Sequence, residues 1–223
     1  MKDGDILEVT ATDLGFIRDI ESWCKNTGNS LLEKEGAGEK YKAKILKGNK
    51  IIDEEITLPK RDIKLPSKKE KTMIIFDGDL DKDIASFIIA TGAQTMGNKV
   101  HMFFTLWGLS ILRKDRTENI KKDFMSKMFS MMLPKGSKKL KLSKMNFLGM
   151  GPKMIRNIMK KKGVKSLEDL IKKAIDMGVE ITDCQMSMDI MGLKIEELID
   201  GVKVGGVATM LEDNDNSNMN LFI

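Results

Sequence analysis

Histidine is nearly missing from the chain: His101 is the only one in 223 residues, and sulfur nucleophiles are confined to Cys24 and Cys184. So few soft ligands leave no zinc site that this sequence could build alone. Two cysteines without a Cys-x-x-Cys pair make no disulfide framework, and a thiol redox enzyme would lack a resolving cysteine near Cys184. Aromatic residues make up 5% of the chain, a poor supply of stacking platforms, so no nucleic-acid partner is expected. No apolar run approaches the roughly twenty residues that span a bilayer. Met1-Lys2-Asp3-Gly4-Asp5 lacks the apolar core of a signal peptide, and a cytoplasmic protein is expected. Gly149-Met150-Gly151-Pro152 begins like a dinucleotide fingerprint but has no third glycine, is interrupted by proline and follows no strand. Neither a cofactor nor a metal is therefore expected.

What the chain has in quantity is charge, 32% of residues against 41% hydrophobic, and it is distributed unevenly. Between Lys121 and Gly163 thirteen basic residues face one acid, Asp123, so this segment is +12 and the remainder −7 within a total of +5. A local basic field matters more for association than the overall balance. The same segment holds Met125, Met128, Met131, Met132, Met145, Met150, Met154 and Met159. Methionine-rich surfaces repack around different partners, although methionine also serves as flexible core lining. One functional reading is therefore a non-catalytic interaction protein. Its segment 121–163 would bind an acidic partner or make peripheral contact with an anionic membrane surface.

Along the chain, Ile6–Ala11 alternates as a strand, and Thr12 or Asp13 can cap a helix that runs to about Lys25 and stops at Gly28. Ile17, Ile20 and Cys24 share one face of that helix, which makes Cys24 a packing residue. Two strands, near 30–34 and 40–47, flank the Gly36-Ala37-Gly38 turn. Residues 50–71, with Pro59 and Pro66, read as a linker. Thr72–Phe76, a helix from about Lys82 to Met96 with Ile84, Phe87, Ile88 and Thr91 inward, and Lys99–Thr105 form a βαβ unit, which implies a parallel sheet. A helix capped by Thr117, a short helix after Pro152 and another capped by Ser166 follow. The strand Val179–Asp183 comes next, then a helix near 194–200, a strand near 206–211 and a last strand at 221–223.

In open parallel sheets, chemistry gathers at the carboxyl ends of strands. Those ends supply Asp77 and Gly78, then Thr105, Trp107 and Gly108, then Cys184, Gln185 and Met186. Turn and capping chemistry accounts for Asp77 and Asp79 equally well. Cys184 sits where a strand turns into a helix, a place where backbone N–H groups favour an anionic sulfur. An accessible thiolate there would be a nucleophile. Position alone leaves a second reading open, a small buried apolar residue.

Asp183-Cys184-Gln185-Met186-Ser187-Met188-Asp189-Ile190-Met191-Gly192, with Glu197-Leu198-Ile199-Asp200-Gly201, Gly205-Gly206-Val207-Ala208 and Phe103-Phe104-Thr105-Leu106-Trp107-Gly108, resembles the DsrE/DsrF-like sulfur-relay family over roughly residues 71–223. The resemblance implies an open, mainly parallel α/β sheet with helices on both faces. It also implies a homo-oligomer, trimer or higher, and a persulfide on Cys184, received from and passed to TusA-like or rhodanese-like proteins. Upstream, Gly4-Asp5-Ile6-Leu7-Glu8-Val9-Thr10-Ala11-Thr12-Asp13, Asp19-Ile20, Trp23 and Thr27-Gly28-Asn29 resemble the latter part of a TusA/SirA-like carrier. The Cys-Pro-x-Pro part has no counterpart here, and Cys24 does not match the carrier cysteine. The expected organisation is a small α+β partial TusA-like segment (1–49), a linker (50–71) and a DsrE/DsrF-like domain (72–223).

Overall fold

A computed structural model describes residues 1–12, 16–37, 40–48, 70–115 and 120–223. Asp13 and Thr117, expected as helix caps, and nearly all of the expected linker lie outside the described residues. The chain forms two compact units, Met1–Leu65 and Pro66–Ile223.

In the first unit β1 (Ile6–Ala11), α1 (Phe16–Thr27), β2 (Ser30–Ala37) and β3 (Lys40–Leu46) make an antiparallel sheet ordered β1-β3-β2. The β2–β3 hairpin brings Ala37 opposite Lys40, as the glycine-rich turn implies. Among the described residues Cys24, Ala43 and Ile45 are its buried apolar side chains, and Asn29 N–H donates to the Cys24 carbonyl past the left-handed Gly28.

The second unit is built on five parallel strands ordered β7-β6-β5-β4-β8: β4 (Glu70–Ile75), β5 (Lys99–Phe104), β6 (Glu180–Cys184), β7 (Val202–Gly205) and β8 (Ser217–Phe222). The helices are α2 (Leu80–Thr95), α3 (Phe124–Met132), α4 (Met150–Lys161), α5 (Leu167–Asp176), α6 (Gln185–Met191) and α7 (Val207–Asp215). Strands β4 to β7 advance in one direction through α2 and α5, which pack on each other. The return from β7 to β8 runs through α7, so right-handed crossovers put α7 on the opposite face. Side chains agree with this: Thr72 Oγ1 donates to the Asp213 carbonyl (3.1 Å) on the α7 side, whereas Met73, Ile75, Met102 and Phe104 enter the core with Phe87 and Ala90.

Several expectations are corrected. The strand expected near 206–211 is the helix α7, and the strand lies earlier, at Val202–Gly205, where it pairs with β6. The helix expected near 194–200 is a single 3₁₀ turn, Ile195–Glu197. Helix α3 begins at Phe124, capped by Asp123, whose carboxylate accepts the Ser126 N–H (3.0 Å). Helix α2 buries Leu80, Asp83, Phe87 and Ala90 at i, i+3, i+7 and i+10, which leaves Ile88 about half exposed. Ser166 caps α5 as expected, accepting the Asp169 N–H (3.2 Å), and His101 is a satisfied core histidine between Glu70 (3.1 Å) and Asp213 (3.2 Å).

Candidate functional site

The carboxyl ends of β4, β5 and β6 lie on one edge of the sheet, as the βαβ reading requires, and the sequence-derived site residues lie along it. Thr105 N–H donates to the Ile75 carbonyl (3.0 Å) and Gly108 N–H to the Phe76 carbonyl (2.8 Å), which folds the 106–112 turn over the end of β4. Only glycine fits at 108, because a Cβ there would meet the Ile75 carbonyl oxygen at 2.4 Å. Gly78 is nearly as confined, with Ser110 Oγ and the Trp107 carbonyl 2.7 Å from a built Cβ. Asp77 and Asp79 both pair with Lys82, so both serve the turn into α2.

Cys184 is the last residue of β6 and immediately precedes α6. Its partner in register is Gly205, and Gly206 then starts α7, so Cys184 lies beside the beginnings of two helices. Side chains alternate along a strand. Cys184 therefore shares a face with Thr182, whose methyl would lie 2.9 Å from a Cβ on Gly205, with Thr209 of α7 also close. Thr105 Oγ1 and Ser187 Oγ share a 2.8 Å hydrogen bond that ties the end of β5 to α6. Gln185, Met186 and Trp107 are exposed, the last two at 59% and 51%.

The expectation of an accessible sulfur is not met: Cys184 is 1% exposed. The reason is pairing. β7 reaches Gly205, so the strand end that looks open in sequence has a neighbour on either side and helix starts above it. Cavities of about 500 and 560 Å³ exist elsewhere in this unit, and Cys184 lines neither.

Two buried carboxyls escaped sequence reasoning. Asp183, beside Cys184 but on the opposite face, and Asp83 on α2 have no hydrogen-bond partner for either oxygen among the described residues. Burial pushes Asp183 well above the usual carboxylate range. Burial, reinforced by the charges of Asp79, Asp81 and Asp77, pushes Asp83 up to about 9. Also unforeseen is a buried ionic hub. Arg113 donates to the carbonyls of Ser130 (2.9 Å), Leu133 (3.3 Å) and Pro134 (3.3 Å) and to Glu197 (3.0 Å), and Lys122 joins Glu197.

Helix α3, held by that hub, packs on α6, and the left-handed Gly192 lets them touch, since a Cβ there would lie 2.4 Å from Ser126 Cα. Both helices keep large apolar side chains in solvent: Phe124 at 80%, Met132 at 75%, Met131 at 71% and Ile190 at 56%. No helix among the described residues is long and apolar enough to cross a membrane.

A parallel α/β sheet with a single cysteine at its carboxyl edge is the class of site these residues define. Residues 67–222 match the DsrE/DsrF/DrsH-like family, and the chain belongs to it. Residues 1–47 match the family described as sulfurtransferase TusA. The chain is 47% identical over 155 residues to the uncharacterized protein YrkE of Bacillus subtilis, covering 70% of this chain and 97% of that one. It is 32% identical over 160 residues to the sulfur carrier protein DsrE2 of Allochromatium vinosum, covering 70% and 99%. The chain is also 42% identical over 41 residues to the sulfur carrier protein TusA of the same organism, covering 18% of this chain and 54% of that carrier. The fold expected from the resemblance, a DsrE-like parallel sheet preceded in sequence by a small TusA-like α+β unit, is the one observed.

Proposed function

We propose that this chain carries sulfane sulfur on Cys184 as one station of a sulfur relay. Its relatives named as sulfur carriers support the general role. The observation that carries the specific reading is the place of Cys184, alone among sulfur nucleophiles at the sheet edge and flanked by the open backbone of Gly206 and the exposed Met186. The Cys184 thiolate attacks the outer sulfur of a donor persulfide, R–S–SH. The donor S–S bond breaks, R–S⁻ leaves with the electron pair, and Cys184–S–SH forms. An acceptor thiolate then attacks the same outer sulfur and regenerates the Cys184 thiolate. Both steps are redox-neutral exchanges that need a thiolate and access to it.

Because the sulfur is covered at rest, a partner must uncover it. The apolar surface of α3 and α6 beside it is a docking face for such a partner, TusA-like or rhodanese-like, or for further copies in a trimer or higher homo-oligomer. Intact-mass measurement after incubation with a persulfide donor tests the reading. Wild type and Cys24→Ser should gain about 32 Da, one sulfur atom, and Cys184→Ser should not. An adduct that survives in Cys184→Ser, or that is absent from wild type with a TusA-like donor present, overturns it.

A further inference from the structure

Residues 145–149 are strained and apolar at once. Met145 (φ 58°), Phe147 (φ 41°) and Leu148 (φ 54°) all hold left-handed backbone conformations that bulky side chains avoid, and their side chains project into solvent at 64%, 60% and 106%. Strain of this kind persists where the surroundings impose it and clusters at functional positions. The loop is pinned at its base. Leu80 N–H donates to the Lys141 carbonyl (2.7 Å), and Asp81 accepts Ser143 N–H and Oγ (2.8 and 2.5 Å). From the loop, α4 continues an exposed stripe at i, i+4 and i+8: Met150 at 72%, Met154 at 50% and Ile158 at 45%.

Cations of one sign surround this ridge. Residues 139–162 contain eight basic side chains and no acid. Behind the loop a cavity of about 560 Å³ is lined by Lys138, Lys139, Lys141, Lys153 and Arg156. Lys138 is paired with Asp115 (2.6 Å) and Arg156 with Glu168 (3.2 Å). Lys139, Lys141 and Lys153 have no acid within ion-pair reach among the described residues.

We propose that this ridge seats the domain on an anionic bilayer surface, with Phe147 and Leu148 entering the headgroup–acyl boundary and the three unpaired lysines holding lipid phosphates. The observations favour a bilayer over an acidic protein on shape: Leu148 is a projecting tip, not the wall of a groove, and a convex wedge suits a deformable phase. The unbroken run of positive charge matches a continuous plane of phosphate. The ridge hangs from Asp79–Asp81 at the end of β4, two strands or about 10 Å from β6. Seating it brings the edge that carries Cys184 toward the lipid surface. The proposal uses residues separate from those of the relay reading, so either can fail alone.

Flotation of the full chain with phosphatidylcholine vesicles, with and without about a third phosphatidylglycerol, tests it. Wild type should float only with the anionic vesicles and be released partly by salt. The Phe147→Ser/Leu148→Ser double variant and the Lys139→Glu/Lys141→Glu/Lys153→Glu triple variant should each weaken binding about tenfold or more. Lys42→Glu in the first unit should leave it unchanged. These side chains are exposed, so unaltered circular dichroism checks that the variants fold. Wild type that ignores anionic vesicles, or that binds them as well without Phe147 and Leu148, overturns the proposal; capture of an acidic protein in place of vesicles would assign the ridge to that class of partner.

Discussion

The two units of this chain each bury one cysteine, and they do so by different means. In the antiparallel unit, Cys24 belongs to the one helix, α1, and faces the strands it is laid on, while Ile6 and Leu32 of those strands stay 60% and 47% exposed. Burial alone raises the Cys24 thiol above its ordinary range. In the parallel unit, five of the six residues of β5 are buried and helices lie against the sheet on both sides. Cys184 is sealed at the rim of that layered structure, where strands end and helices begin. Equal burial therefore does not mean equal chemistry. A cysteine in the middle of a packing face has no ligand edge beside it, whereas one at the carboxyl rim needs only a local opening.

The difference in layering sets how each unit answers to substitution. The largest effect is expected at the ionic hub: Arg113→Ala removes one of the two cations that hold the buried Glu197 carboxylate and leaves three carbonyls without their donor. It should cost about 3–5 kcal/mol and lower Tm by roughly 10 °C, read by thermal denaturation. A loss under 1 kcal/mol would mean that the hub is solvated and that α3 is held by other contacts.

A smaller effect comes from pH. The folded-state affinity of Asp83 for its proton, raised to about 9, exceeds that of the unfolded chain, so the native state binds more protons. The stability this contributes is fully present below the ordinary carboxylate range, near pH 4, and is lost as pH rises toward 9. Asp183 acts in the same direction. Tm should therefore fall between pH 5 and pH 9, and Asp83→Asn should flatten that slope and raise Tm at the alkaline end. An Asp83→Asn slope as steep as wild type would remove Asp83 from the account.

The smallest effect belongs to the first unit. Lys34 and Glu21 form a 2.7 Å pair that is about half exposed on both sides. Lys34→Ala should leave the Tm of this unit indistinguishable from wild type, because solvent screens such pairs. A clear fall in Tm would show that this thin sheet relies on its surface charges in a way the thicker one does not.

Much of this architecture is legible in the residues. The apolar runs 72–76 and 99–104, the Ser166 cap and the glycine turn at 36–38 carry their structure locally. The position of Cys184 at a strand–helix junction is equally local. Its burial is not, because it depends on Val202-Lys203-Val204-Gly205, a stretch too short and too broken by glycine to announce itself as a strand. Taking 206–211 for that strand leaves the cysteine without its covering neighbour. Asp83, Asp183 and Arg113 are likewise hidden, since a charged residue gives no sign in sequence that tertiary packing will enclose it. The helix face that holds Asp83 is set by contact with the sheet, which is why Ile88 turns outward instead.

The Thr105–Ser187 hydroxyl pair gives the closed site a character of its own. That side-chain hydrogen bond, together with the buried Met188 and Met191, seats the short helix next to the sulfur against the end of β5. On the proposed relay, sulfur held there would be screened from the small thiols and oxidants of its surroundings and handed over only when a visiting partner displaces that seating.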